Sequence, residues 1–355
     1  MRFHVVGLPH TQTTRAYETC AFTANVRKFC DMMMARGHEI YLYAGEENEA
    51  ACTELIPCVT KQFQRECGFH GPDDSLKVSY DATNAYWTRM NNKVAREIMV
   101  RRESSDFLCL ISGSQWPISQ LVPDLACVEY AVGYQGIEAP YRVFPTYAWM
   151  HAVYGHWYGA ANCDPSDFDA VIPHFFNPNE FPLQEKKDDY CLYIGRLTDR
   201  KGWRIAQDVC ERKGVRLLVA GRPEPGKGFD GYGEYLGVLA PADRAAAVGG
   251  ARAIFMPTRY IEPFGCVAAE ALLCGTPVIS SDTGGATEIV RQGQDGWRCR
   301  SLKDYMTAVD LAVGVDPAWY PEIRRQAVAR FGFSSVGAQY ERYFAKLADG
   351  RGWYA

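Results

Sequence analysis

The chain has 355 residues, 47% of them apolar and 23% charged, with a formal net charge of −4. That length suits two domains of roughly 150–180 residues, and the charge excludes a global basic field for nucleic acid or anionic lipid. No stretch approaches the roughly 18 apolar residues of a membrane span. The charge is uneven: residues 1–172 hold 14 Lys and Arg against 20 Asp and Glu, a balance of −6, and the remainder holds 24 against 22, or +2. Thirteen cysteines are scattered, with no CxxC pair and several inside apolar runs such as "FLCLI" and "YCLYIG". They read as reduced thiols serving as small hydrophobes in a cytoplasm; a zinc site, the alternative, lacks ligand spacing.

"RFHVVGLP" reads as a buried strand entered directly from the N-terminus, so no signal peptide is expected. After the polar stretch "HTQTTRAYETCAFT", a helix is predicted over "ANVRKFCDMMMARG". Val26, Phe29, Met32 and Met33 fall at helical spacing there, and Gly37 is the stop. "HEIYLYAG" is a second strand, and strand–helix–strand in this order implies a parallel sheet. "NNKVAREIMVRRESSD" is helical, and "FLCLISG" and "ACVEYAVGY" are strands. Residues 130–160 are aromatic-rich without a period, either a loop packed on the sheet or part of a binding cleft. A Pro- and Asn-rich turn in "FDAVIPHFFNPNEFP" sets the expected domain boundary near residue 173.

The second half repeats the rhythm: strands "YCLYIGRL", "VRLLVAG", "RAIFMPT" and "TPVISSD" alternate with helices "KGWRIAQDVCERKG" and "PADRAAAVGGA", a helix ending at Cys274, and "GATEIVRQG". The tail has helical spacing at Val336, Tyr340, Tyr343, Phe344 and Leu347. The fold class is therefore α/β: two doubly wound parallel-sheet domains, 1–172 and 173–335, facing a cleft, with 336–355 crossing back to the first.

Ligands in such folds sit at the carboxyl ends of the strands. "GRLTDRKG" places Arg196 and Lys201 on one strand-to-helix turn between Gly195 and Gly202, which suits a diphosphate; an exposed turn meeting only water is the other reading. "AGRPEPGKG", with Gly221 and Arg222, would let backbone approach a ligand, and "YLGVLAP", with Gly237 and Val238, would offer backbone polar groups to a base. "IEPFGCVAAE" leaves a strand and turns into a helix near Phe264, so that the amides of Gly265, Cys266 and Val267 become donors at the positive end of the dipole. Glu270 lies in an otherwise apolar helix and needs a partner, either a ribose diol or a buried Arg.

"YIGRLTDRKG", "PTRYIEPFGCVAAEALLCGTPVISSDTGGATEIV" and the register between them resemble the donor-binding half of retaining glycosyltransferases of GT-B fold, the large family 4 group (glycosyl transferases group 1). The resemblance covers residues 190–300 and includes the pair of glutamates, Glu262 and Glu270, with seven residues between them. It implies two Rossmann-like domains. Arg196 and Lys201 would neutralise the diphosphate of a nucleotide-sugar, UDP-sugar first. Glu262 would lie at the donor sugar with Pro263, Glu270 would bind the ribose, and the backbone of Phe264, Gly265, Cys266 and Val267 would cover phosphates and sugar. It further implies a front-face reaction in which the leaving phosphate takes the acceptor proton, with no cofactor and no bound metal. "DFD" at 167–169 then reads as a surface turn.

The first domain departs from the pattern. Its loop after the first strand has no glycine, and His10, Thr11, Gln12, Thr13 and Thr14 either contact donor or acceptor or cap the following helix and satisfy local backbone. The family's histidine near the reacting sugar is best matched by His151, with His156 and His10 as alternatives. Tyr130, Tyr134 and Glu129 flank a strand end, facing the cleft or simply packed. The acceptor is expected to be a hydroxyl on a saccharide or small molecule. A hydroxylated base of viral DNA is also open, because Arg89, Lys93 and Arg96 fall at i, i+4 and i+7 with Arg101 and Arg102 beyond; a solvated helix face is the plainer reading. No amphipathic stretch rich in Lys and Trp supports a lipid-linked acceptor. The rivals are a nucleotide-sugar epimerase or phosphorylase on the same fold, and a non-catalytic sugar-nucleotide-binding protein.

Overall fold

A computed structural model describes residues 1–159 and 166–350, so Cys163 and the last five residues of the expected closing segment lie outside the described residues. The chain divides into two compact units. The first holds Met1–Pro145, Val153–Phe175 and the chain from Val336, and the second holds Thr146–Ala152 and Phe176–Ser335.

The first unit is a seven-stranded, wholly parallel sheet: β1 (Arg2–Val6), β2 (Glu39–Gly45), β3 (Glu54–Val59), β4 (Phe107–Leu110), β5 (Ala126–Glu129), β6 (Tyr141–Phe144) and β7 (Ala170–Val171). Their order is β3-β2-β1-β4-β5-β6-β7, so the topology reverses between β1 and β4. Helix α1 (Ala21–Met34) buries Val26, Phe29, Met32 and Met33, the apolar set its spacing groups on one face. Helices α2 (Lys61–Glu66), α3 (Ala85–Arg101) and α4 (Pro117–Leu121) follow, and α5 (Tyr147–Tyr158) begins in the second unit and ends in the first.

The second unit has a six-stranded parallel sheet of β8 (Cys191–Ile194), β9 (Leu217–Ala220), β10 (Glu234–Tyr235), β11 (Ala253–Met256), β12 (Val278–Ser281) and β13 (Gly296–Cys299), in the order β10-β9-β8-β11-β12-β13. Its helices are α6 (Trp203–Lys213), α7 (Pro241–Gly250), α8 (Cys266–Leu273), α9 (Ala286–Ile289), α10 (Leu302–Val313) and α11 (Trp319–Phe331). Alternation along the strands gives each sheet face its own core. Leu192, Ile194, Ile254 and Met256 pack with Ala268 and Leu272 of α8, whereas Tyr193 and Phe255 pack with Trp203 and Val309. Closing helix α12 (Phe333–Ala348) sets Phe344 against Phe3 and Phe107 of the first unit, with centroids 4.7 and 4.8 Å apart.

Three expectations change. The aperiodic stretch 130–160 contains β6 and α5; α5 has no Lys, Arg, Asp or Glu, so no polar stripe marks it as a helix. The strand expected over "ACVEYAVGY" stops at Glu129, because Ala131 takes a left-handed φ of 52°. The second unit claims Thr146–Ala152, where the Glu288 carboxylate accepts the Tyr147 and Ala148 amides at 3.0 and 2.8 Å.

Candidate functional site

The order of the second sheet places its topological reversal between β8 and β11, and the loops after these strands share one edge with the loop after β9. They are tightly laced. The Leu197 amide donates to the Arg222 carbonyl at 2.9 Å, and the Gly221 amide donates to the Gly237 carbonyl at 2.8 Å. The Arg259 amide reaches the Arg200 carbonyl at 2.8 Å. Gly202 makes one approach possible: at φ +71° a β-carbon would stand 2.0 Å from the Pro257 carbonyl oxygen.

This lacing brings Lys201 to Glu262, with Nζ 2.7 Å from Oε2. The Tyr260 hydroxyl donates to the same oxygen at 2.5 Å, and burial together with the neighbouring carboxylate pushes its pKa well up, so it stays a donor. Both bonds fall on Oε2, and Oε1 lies outside the pair. The Arg200 guanidinium sits over the Tyr260 ring at 4.6 Å, and Arg196 is exposed beside it in sequence. The loop carries more positive charge than Glu262 can balance. Its backbone is braced from behind, the Gly285 amide donating to the Glu262 carbonyl at 2.7 Å and the Thr146 hydroxyl to the Pro263 carbonyl at 2.7 Å.

Helix α8 starts at Cys266 with Gly265 as N-cap at φ 101° and no side-chain cap. Its own ladder begins with the Ala268 amide on the Gly265 carbonyl at 2.9 Å. The amides of Cys266 and Val267 thus lie ahead of the ladder, at the positive end of the helix. Phe264 is core: its ring packs against Phe331 and Phe176, 5.7 and 6.4 Å away, so only its backbone faces the loop. Glu270, 7% exposed, is paired with Arg244 of α7, whose Nε lies 2.9 Å from Oε2 and whose Nη2 bonds the same oxygen. Of the two partners open from sequence, the protein supplies the arginine, again on one oxygen only.

The remaining expected residues belong to other elements of the chain. Thr11, Gln12, Thr13 and Thr14 are buried. Thr11 bonds Thr23 at 2.7 Å, the Gln12 amide nitrogen donates to Gln64 at 2.6 Å, and the Gln12 carbonyl accepts the Glu47 amide at 2.7 Å. The loop does not cap α1, whose N-cap is Cys20 without a side-chain bond. His151 is exposed, 6.2 Å from the Tyr147 ring, and His156 is exposed too. Glu129 is buried, and Oε2 accepts the Glu138 and Ala139 amides at 3.0 and 3.3 Å. Desolvation pushes its carboxyl up to about 7.

The DFD segment forms the expected turn just before β7, half-buried, with the Asp169 carboxylate directed inward. Arg142 Nε holds the buried Asp169 carboxylate at 2.9 Å, and the Tyr154 hydroxyl bonds it as well. The cations of α3 are engaged: Arg89 over the Phe63 ring, Lys93 on the Pro57 carbonyl, Arg96 on the Asn92 carbonyl, Arg101 on Glu54 and Glu97, and Arg102 on Asp124.

Sequence reasoning missed Tyr260, Arg244, Thr146 and the Gly285 brace. Two of them had signals. Tyr260 lies two residues before Glu262, and Arg244 is a lone cation in the alanine-rich "PADRAAAV".

Two doubly wound parallel units, with cationic and amide donors gathered at the switch point of the second, define the GT-B class of two-domain glycosyltransferase folds. The sequence model of the family Glycosyl transferases group 1 matches residues 176–310, all within the second unit. An uncharacterized glycosyltransferase of Methanocaldococcus jannaschii is 32% identical over 160 residues, 37% of this chain and 41% of that one. The phosphatidyl-myo-inositol mannosyltransferase of Mycobacterium leprae is 29% identical over 174 residues, 44% and 46% of the two chains. The chain thus spans about half the length of the curated relatives it matches. Among solved structures, AviGT4, a glycosyltransferase involved in avilamycin A biosynthesis, superposes with a TM-score of 0.69 at 18% identity, covering 99% of each chain. HepE of Anabaena in complex with UDP and glucose superposes with a TM-score of 0.64 at 14% identity, over 98% and 100%. At these identities the likeness is one of fold.

Proposed function

We propose that the chain is a retaining, metal-independent glycosyltransferase that moves a sugar from a nucleotide-diphosphate-sugar, UDP-sugar first, to a hydroxyl of a saccharide or small polyol. The observation that carries this reading is the way Glu262 and Glu270 are held. A basic partner fixes each carboxylate through Oε2, and Oε1 remains for a hydroxyl; the first turn of α8 lies between the two in sequence, and Arg196 shares the turn that carries Lys201. Two hydroxyl-binding carboxylates around an anion-binding helix end fit a sugar, a diphosphate and a ribose in that order.

Breaking the sugar–phosphate bond builds negative charge on the departing diphosphate oxygen. Fixed cations and amide dipoles stabilise that charge without reorganising. In this reading Lys201, oriented by Glu262 and Tyr260, and Arg196 face the phosphates, Glu262 Oε1 takes a donor-sugar hydroxyl, and the released phosphate oxygen accepts the acceptor proton on the same face. The relative that mannosylates phosphatidyl-myo-inositol and the neighbour that holds UDP and glucose support a hexose donor and a polyhydroxylated acceptor. The internal partners of the α3 cations disfavour DNA.

A thermal-shift screen against UDP-, GDP- and ADP-sugars identifies the donor, since a ligand of the native state raises Tm by mass action. With that donor and no acceptor, slow hydrolysis is expected, and Lys201→Ala and Arg196→Ala should each lower it roughly a hundredfold, about 3 kcal/mol. Unchanged turnover in both variants would sink the assignment. EDTA should leave turnover unaltered; its loss would overturn metal independence. Donor binding unaffected by Glu262→Ala, without hydrolysis, would instead indicate a non-catalytic binding protein.

A further inference from the structure

Lys201 and Tyr260 donate to the same oxygen of Glu262, at 2.7 and 2.5 Å, and among the described residues no hydrogen bond falls on the other oxygen. In the resting protein the second donor is redundant, because the ammonium alone keeps the carboxylate charged and in place. The Glu262 side chain is 12% exposed and that of Lys201 24%, so water reaches the carboxylate poorly. A carboxylate in that setting needs another donor whenever its cation is engaged elsewhere. Lys201 has three N–H groups. An anion arriving at the loop takes those that Glu262 leaves, and a diphosphate, with a charge on each phosphate, draws the ammonium toward itself. Tyr260 stays behind. It lies two residues before Glu262 in the same loop. The Arg200 guanidinium covers its ring at 4.6 Å, and the Lys201 ammonium lies 5.1 Å from the ring centre. The neighbouring Arg259 amide is tied to the Arg200 carbonyl at 2.8 Å. Burial, with Glu262 beside it, pushes the hydroxyl well up, so it keeps its proton and acts as a donor.

We propose that Tyr260 is a positioning residue that takes over Glu262 when Lys201 turns to a diphosphate: the hydroxyl keeps Oε2, and Oε1 stays presented to the sugar. No proton moves. Only the hydrogen bonding on Oε2 passes from the ammonium to the phenol, so one lysine serves the phosphates without releasing the carboxylate that the same loop needs. The role of Oε1 rests on the glycosyltransferase reading; the handover itself needs only an anion at Lys201.

The test is calorimetric titration of the full chain with inorganic pyrophosphate, UDP, GDP and ADP, in the wild type, Tyr260→Phe, Glu262→Gln and the double variant. Tyr260→Phe keeps the ring under Arg200 and should retain Tm. It should weaken pyrophosphate about tenfold, because binding then draws the cation from a poorly hydrated carboxylate with no hydroxyl in reserve. In the Glu262→Gln background the same Tyr260→Phe step should cost less than about twofold, since a neutral amide has no charge to compensate. Equal losses in both backgrounds would make Tyr260 a packing residue or a direct phosphate contact. Wild-type affinity in Tyr260→Phe would show that Lys201 holds both anions unaided. Either result overturns the handover. The nucleotides separate this outcome from that of the function proposed above. If pyrophosphate shows the coupling and none of the three nucleotides binds more tightly than pyrophosphate, the nucleotide-sugar reading falls and the handover stands. If a nucleotide binds more tightly and the coupling is absent, the handover falls and the reading stands. If neither pyrophosphate nor any nucleotide binds the wild type, both fall.

Discussion

The Arg244–Glu270 pair offers a direct measure of whether the second glutamate is structural, ligand-binding or both. Glu270 is 7% exposed on a helix whose neighbours Ala268, Ala269 and Ala271 are wholly buried. Arg244→Ala leaves that carboxylate without its partner. Breaking a buried pair from one side costs about 3–5 kcal/mol. The Arg244 side chain, however, is 32% exposed, so water already screens the interaction, and about 2 kcal/mol is the expected loss. Glu270→Ala removes the buried charge and leaves an arginine that water can solvate, which should cost about 1 kcal/mol, chiefly lost contact. The double variant should cost little more than Glu270→Ala, giving a coupling energy near 2 kcal/mol. Hydrogen exchange of the α8 amides reads this locally and does not require the two units to unfold together.

The same variants then report on nucleotide binding. Both guanidinium bonds fall on Oε2, so the pair and a ribose hydroxyl on Oε1 do not compete. Loss of a hydrogen bond to a charged group is worth about 1.5–3 kcal/mol, so Glu270→Ala should weaken UDP ten- to hundredfold. Arg244→Ala should weaken it less, because the carboxylate remains. A coupling energy below about 0.5 kcal/mol would refute the buried-pair argument. Unchanged UDP affinity in Glu270→Ala would refute the ribose assignment and leave Glu270 a purely structural residue.

Gly202→Ala forces a left-handed residue and a β-carbon 2.0 Å from the Pro257 carbonyl oxygen, so urea titration should show a loss of about 3 kcal/mol or more together with lost donor protection. Gly214→Ala, at φ +62° with nothing within 4 Å, is the control and should cost only about 1 kcal/mol; equal effects would rule out the clash. Glu129 gives a pH signature. Burial raises its carboxyl from 4.5 to about 7, so the native state holds a proton that the unfolded chain has released; this stability is complete below pH 4.5 and lost as pH rises through 7. At about 1.4 kcal/mol per pH unit the gap is worth about 3 kcal/mol. Glu129→Gln, which keeps an acceptor for the Glu138 and Ala139 amides, should therefore gain about 3 kcal/mol on the wild type between pH 4.5 and 8, and a flat difference would show that Glu129 is ionised in the native state.

How much of this was legible in sequence follows from where each residue finds its partner. The central strands β1, β4, β8 and β11 are covered on both faces and read as short apolar runs between helices of clear period. Edge strands β3 and β10 are not: β3 contains Pro57, and the two residues of β10 are exposed. At the site, Arg196, Lys201 and Glu262 were legible because each lies beside glycines and prolines that only a strand-end turn explains. The polar loop Thr11–Thr14 stays open in sequence between ligand contact and local bonding, for the opposite reason. Its hydroxyls and amide look available in sequence, yet Gln12 meets Glu47 and Gln64, and Thr11 meets Thr23, which no local pattern announces. The two glutamates divide the same way. The partners of Glu262 lie in flanking loops whose motifs suggest a common edge, whereas Arg244 reaches Glu270 from a separate helix. Spacing could show that Glu270 needed a partner. Only the fold shows that the partner occupies one oxygen and leaves the other, so that one carboxylate can be a buried ion pair and still bind a hydroxyl.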